Sequence, residues 1–104
     1  MSVVLSVLYP DAPGGRFDMR AYLDAHIPLV RRRWDPVGLL DVRVLRGVGT
    51  PDGSPAPYRV AAHLTFASAD ALDCALGEHG EEVFAHIPAY TDIRPVMQIS
   101  EVVG

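Results

Sequence analysis

Residues 17–34 read FDMRAYLDAHIPLVRRRW, and this stretch decides how the rest of the chain is organised. Asp18 is a good N-cap, because its carboxylate can accept from an otherwise orphan amide two or three residues on. Met19, Tyr22, Leu23 and His26 then fall on one face at helical spacing. Pro28 lacks an amide proton and clashes with the carbonyl four residues back, which predicts a kink or restart near His26 and Ile27. Arg31, Arg32 and Arg33 crowd the far end, where cations suit the helix dipole. The spacing thus predicts an inward imidazole beside a helix irregularity that frees backbone groups.

Outward from that helix the pattern changes period. Val3 to Tyr9 alternates in steps of two and ends at Pro10, as a strand does. DAPGG at 11–15 is a turn, and Asp35, Pro36 and Gly38 form the helix exit. Residues 39–48 (LLDVRVLRGV) predict a second strand, 50–57 (TPDGSPAP) an exposed loop, and 58–66 (YRVAAHLTF) a third strand. Ser68 caps a second helix through Leu76, which Gly77 and Gly80 are expected to break, with a further short turn over 81–86. Residues 93–103 (IRPVMQISEVV) predict the last strand, with Pro95 near its start. The order β-α-β-β-α-β predicts an α+β, ferredoxin-like domain with a four-stranded antiparallel sheet, one domain over 1–104.

The two sheet faces differ. Val3, Leu5, Val7, Val60, Ala62, Leu64, Phe66, Met97 and Ile99 should pack on the helices. The opposite face collects Val4, Ser6, Leu8, Ala61, His63, Thr65, Val96, Gln98, Ser100 and Val102, with few charges. A face so poor in charge suits a cover, and a second copy is the simplest one, giving a homodimer with a barrel-like core. A solvated, merely low-charge face is the alternative.

Composition narrows the function. A net charge of −4 lacks the basic footprint of a nucleic-acid binder. No apolar run approaches the roughly 20 residues that span a bilayer, and no signal peptide is expected at the start. The lone Cys74 cannot form an internal disulfide, which agrees with a reducing cytoplasm. No phosphate loop, nucleophile elbow or C-x-x-C is present.

Four histidines remain as chemistry. His26 can take or give a proton near neutral pH, with Tyr22 one turn earlier sharing its pocket; the plainer reading is a helix histidine bonded to a carbonyl freed by Pro28. His63 lies on the weakly polar face with Ser6, Thr65 and Gln98 as possible neighbours and Leu8, Ala61 and Val96 as pocket walls; otherwise it fills a dimer seam. His79, Glu82 and His86 have metal-like spacing but no fourth ligand, so no metal is expected; His86 and Glu82 read as exposed, and His79 as facing a pocket mouth or capping a helix end. Tyr90 can donate to a ligand carbonyl, and Asp92 can orient a histidine or bond turn amides.

These stretches resemble the EthD family, named for proteins encoded beside ether-degradation monooxygenases. The matching pieces are SVLYPDAPGGRFDM, YLDAHIPLV with its H-x-P-L core, AHLTF, the run from His79 through IPAYTDI, and PVMQISEV. The resemblance implies a ferredoxin-like fold that dimerises through its sheets into an α/β barrel. That architecture is shared with cofactor-free monooxygenases, polyketide cyclases, lactone isomerases and some haem enzymes, so fold alone does not fix the activity. It carries His26, His79, Tyr90 and Asp92 over as family positions. The resulting expectation is cofactor-free acid–base chemistry on an apolar or aromatic molecule, of dehydratase, cyclase, decarboxylase or monooxygenase type. His26, His79 and Tyr90 would act on it, and Tyr22, Ser6, Leu8, His63, Gln98 and Asp92 would bind it. The alternative is a non-catalytic ligand-binding or accessory protein.

Overall fold

The central strand is β1 (Val3–Pro10), where strict alternation buries Val3, Leu5, Val7 and Tyr9 on one face. A computed structural model describes residues 1–104. β2 (Leu39–Arg46), β3 (Tyr58–Phe66) and β4 (Val96–Glu101) complete one sheet in the order β2-β3-β1-β4, antiparallel at every step. The fold is therefore the α+β, ferredoxin-like one. The register pairs Val7 with Ala62 and Met97, and Ser6 with His63 and Gln98, so the two faces stay separate across three strands.

The helix side begins with α1 (Met19–Ala21), capped by the Asp18 carboxylate, which accepts from the Ala21 amide at 3.0 Å. A π-helical turn over Tyr22–His26 follows, then α2 (Ile27–Trp34) and a short 3₁₀ turn, Asp35–Val37. The expected irregularity beside Pro28 is this π-turn, in which the Ile27 amide donates to the Tyr22 carbonyl. The wider turn keeps Tyr22 and His26 buried but leaves Leu23, expected on the same face, about half exposed. Gly38 then turns the chain at φ 110°, and a Cβ there would sit 2.7 Å from that of Ala71, so the chain needs glycine twice over.

Ala69–Ala85 forms α3, with the Ser68 hydroxyl accepting from the Ala71 amide. Gly77 and Gly80 do not break it. A glycine costs a helix only about 1 kcal/mol, and the flanking Leu72, Ala75 and Val83 are buried in the core on both sides of the pair. The Trp34 indole N–H donates to the Ala75 carbonyl at 2.9 Å and ties α2 to α3. Both helices lie over the face that carries Val3, Leu5, Val7, Val60, Ala62, Leu64 and Phe66.

One side of the core stays open. Met97 and Ile99 share the inner face with Val7 and Leu5, as the alternation predicts, yet they are 39% and 57% exposed. The helix layer leaves the β4 edge uncovered. β2 ends at Arg46 and β4 starts at Val96, each shorter than expected; Pro95, without an amide proton, marks the start of β4.

Candidate functional site

An aromatic cluster closes the end of the helix–sheet interface where β1 finishes. Tyr9 is the last inward residue of β1, Phe17 precedes α1, Tyr22 and His26 lie on the π-turn, and Tyr90 follows the 3₁₀ turn Ile87–Ala89. Tyr9, Tyr22 and Tyr90 are buried, and the Tyr9 and Tyr90 hydroxyls are hydrogen-bonded at 2.6 Å. The Tyr22 ring runs nearly parallel to the His26 ring at 5.6 Å, and the Tyr90 ring lies 4.7 Å from it. Burial raises the pKa of all three phenols, and proximity to Tyr9 raises Tyr22 and Tyr90 further, so each keeps its proton through the neutral range.

His26 is bonded to another histidine rather than to a backbone carbonyl. Its Nδ1 lies 3.0 Å from Nδ1 of His86, the residue that follows α3, with the two rings within 7° of parallel and centroids 5.2 Å apart. Two such nitrogens bond only when one carries hydrogen and the other does not. Burial, and secondly the neighbouring His86, lowers the His26 pKa to about 4, so its ring is neutral at pH 7. Its Nε2 has no protein partner, and no buried side-chain nitrogen or oxygen is left unpartnered, so Nε2 borders open space.

His26 also lines a small hollow between helices and sheet. Besides His26 its walls are almost wholly hydrophobic, including Leu5, Val7, Tyr22, Trp34, Phe84 and Met97. As packed it offers ≈ 20 Å³, about the room of one ordered water. Leu5, Phe84 and Met97 also line a surface groove at the open β4 edge with Leu76 and Ile99, so these three residues border both spaces. On the other side of the histidine pair, His86 lines a separate, wide surface groove with Asp24, Arg32 and Glu82.

The structure gathers some of the sequence candidates and scatters others. His26, Tyr22 and Tyr90 come together. His79 lies mid-helix on α3, half-buried, with the carboxylate of adjacent Glu78 3.9 Å away, and is not part of the aromatic cluster. Asp92 accepts from the Arg16 amide at 2.7 Å and holds a loop, the turn role weighed for it. Ser6, His63, Leu8 and Gln98 lie on the opposite face of the sheet. There the Ser6 hydroxyl and His63 Nδ1 are 2.9 Å apart, and Gln98 donates to Ser100 instead of reaching His63. Arg43 extends this polar row across β2 and lies 3.8 Å from Asp41. His79, Glu82 and His86 do not converge: Glu82 is gripped by Arg33 at 2.9 and 3.2 Å, while His86 is half-buried rather than exposed.

Sequence reasoning took His86 for an exposed residue and gave Tyr9 no part in the site. Tyr9 was readable as the terminal inward residue of the Val3-Leu5-Val7 alternation. His86 sits four residues before Tyr90, but its meeting with His26, 60 positions away, has no local signature.

No family model and no curated protein matches the chain. Solved structures do. An EthD-like protein from Ralstonia eutropha JMP134 is 35% identical, with a TM-score of 0.89, over 99% of this chain and 93% of that one. An ethyl tert-butyl ether degradation (EthD) family protein from Bacillus halodurans C-125 is 23% identical, TM-score 0.78, over 99% and 100%. SnoaB of Streptomyces nogalater, a cofactor-independent oxygenase, is 14% identical, TM-score 0.59, over 99% and 92%, a likeness of fold alone.

Proposed function

The chain belongs to the EthD-like family, and on that premise we propose that it performs cofactor-independent acid–base chemistry on an apolar or aromatic, enolisable small molecule held between helices and sheet. The observation that carries this is the imidazole of His26, which lines an apolar hollow, has no protein partner at Nε2 and is backed by His86. A neutral imidazole there takes a proton from carbon or oxygen of a bound molecule, and Tyr22 and Tyr90 supply rings that a planar ligand can pack against. Neither His79 nor Asp92 is needed for this chemistry, and the reading leaves them out of the site. The hollow must widen to admit a bicyclic ring, and the side chains of Met97 and Phe84 are the ones that can give way. Dehydration, cyclisation and oxygenation of an enolate use such a base, and decarboxylation uses the same group as an acid that protonates the enolate left when CO₂ departs.

The face bearing Ser6, Leu8, His63 and Gln98 is assigned to a second copy of the chain. Val96 and Leu45 on that face are each about half exposed, and Arg43 and Asp41 are its only β2 charges. A homodimer in a reducing cytoplasm, where Cys74 stays free, fits these features.

β-Tetralone tests the reading, because its protons next to the carbonyl exchange through an enol. Wild-type protein should accelerate their exchange with D₂O, seen by proton NMR, and His26→Ala should remove the acceleration while β-tetralone still shifts the protein's amide resonances. The almost uniformly hydrophobic lining favours one other reading, a binding protein without turnover. Binding with no accelerated exchange by the wild type would select it.

A further inference from the structure

We propose that His86 is a proton-relay residue, passing protons between the surface groove and His26 while both rings stay neutral. The proposal rests on the acid–base reading above and adds a route for the proton. The two histidines stand between two spaces. His26 lines the buried hollow and His86 does not; His86 lines the groove beside Asp24, Arg32 and Glu82, and His26 does not. Their Nδ1 atoms meet edge to edge at 3.0 Å, since parallel rings with centroids 5.2 Å apart cannot lie face on face.

The balance of the step is simple. With hydrogen on His26 Nδ1 and on His86 Nε2, the bare Nε2 of His26 takes a proton from the bound molecule. The Nδ1 hydrogen of His26 passes to Nδ1 of His86, and His86 releases its Nε2 hydrogen to water in the groove. One proton has left the ligand for solvent, no bond other than N–H, ligand–H and O–H has changed, and each ring has only switched tautomer. The switched pair is set for the reverse act: water gives a proton to His86 Nε2, and His26 Nε2 donates to a second ligand atom. A base step followed by an acid step thus resets the relay.

Burial explains why two rings serve better than one. A lone buried base would have to hold an imidazolium among Tyr9, Tyr22, Tyr90 and the apolar wall, where charge is disfavoured. The relay avoids that ion. The charged groups facing His86 are Asp24, Arg32 and Glu82 at the groove, with Glu82 already paired to Arg33; His26 and the Tyr90 ring face it from inside.

Two variants test the relay on the β-tetralone exchange assay. In His86→Asn the amide can still hydrogen-bond His26 Nδ1 but cannot pass a proton through. It should bind β-tetralone as wild type does and exchange its protons at least about tenfold more slowly. His86→Ala should be slow too and should regain rate with added imidazole, beyond buffer catalysis, while His26→Ala/His86→Ala should regain none. His86→Asn at the wild-type rate, beside an inactive His26→Ala, would overturn the relay and leave the acid–base reading standing. Slow His86 variants that imidazole does not rescue would also overturn it, leaving a structural role. A wild type no faster than buffer would overturn both.

Discussion

His26 and His63 lie on opposite sides of one sheet, and each touches a single polar partner. His26 is 5% exposed, meets a second imidazole and sits in an aromatic enclosure; His63 is half-buried on an open face and meets a serine hydroxyl. The same side chain is made a weak, neutral base in one place and a face residue in the other. For His26, burial first and then the neighbouring ring pull its proton affinity down. A histidine's chemistry is set by what encloses it, and the π-turn is what brings His26 inside.

The contrast breaks most visibly in rate. His26→Ala should slow β-tetralone exchange by about 10²–10⁴-fold, and His63→Ala by less than about twofold, measured side by side by NMR. Equal losses would erase the distinction between the two sides.

Stability against pH gives the next largest difference. The folded His26 pKa, about 4, lies below the roughly 6.5 of an unfolded histidine, so the unfolded chain binds the extra proton first. Its contribution is fully present above about pH 6.5 and is lost as the pH falls towards 4, by about 3 kcal/mol in all. Urea unfolding at pH 7 and pH 4.5 should show the slope in wild type and His63→Ala, and a flatter one in His26→Phe.

The open face responds to charge instead. Leu8→Glu, set between Ala61 and Val96, would place like charges against a second copy. It should weaken self-association at least about tenfold, or about 1.4 kcal/mol, in sedimentation equilibrium without lowering the exchange rate per subunit. Smallest is Tyr9→Phe, which removes the 2.6 Å bond to Tyr90 and should cost about 1 kcal/mol of unfolding free energy.

How much of this was legible follows from which signals are local. Strand alternation gave the inner face of β1 and β3 residue by residue, and Asp18 and Ser68 marked both helix starts, because caps and pleats act over a few residues. Pro28 announced an irregularity but not its form; a π-turn depends on how α2 docks afterwards. Gly77 and Gly80 misled, since packing on both sides outweighs their modest penalty. Met97 and Ile99 showed which way they point but not that the helix layer covers them only in part, for that depends on where α3 is set. The His26–His86 contact joins a turn near one end of the chain to the exit of α3, and only the closed fold brings them together.

At the β4 edge Met97 is part of the inner wall of the hollow and of the outer surface at once. A thioether in that position is open to oxidants. Its sulfoxide would set a polar, stereogenic group where a greasy hinge had been, stiffening the doorway and wetting the chamber behind it. Peroxide would then act on ligand uptake from the far side of the sheet edge, leaving both imidazoles chemically intact.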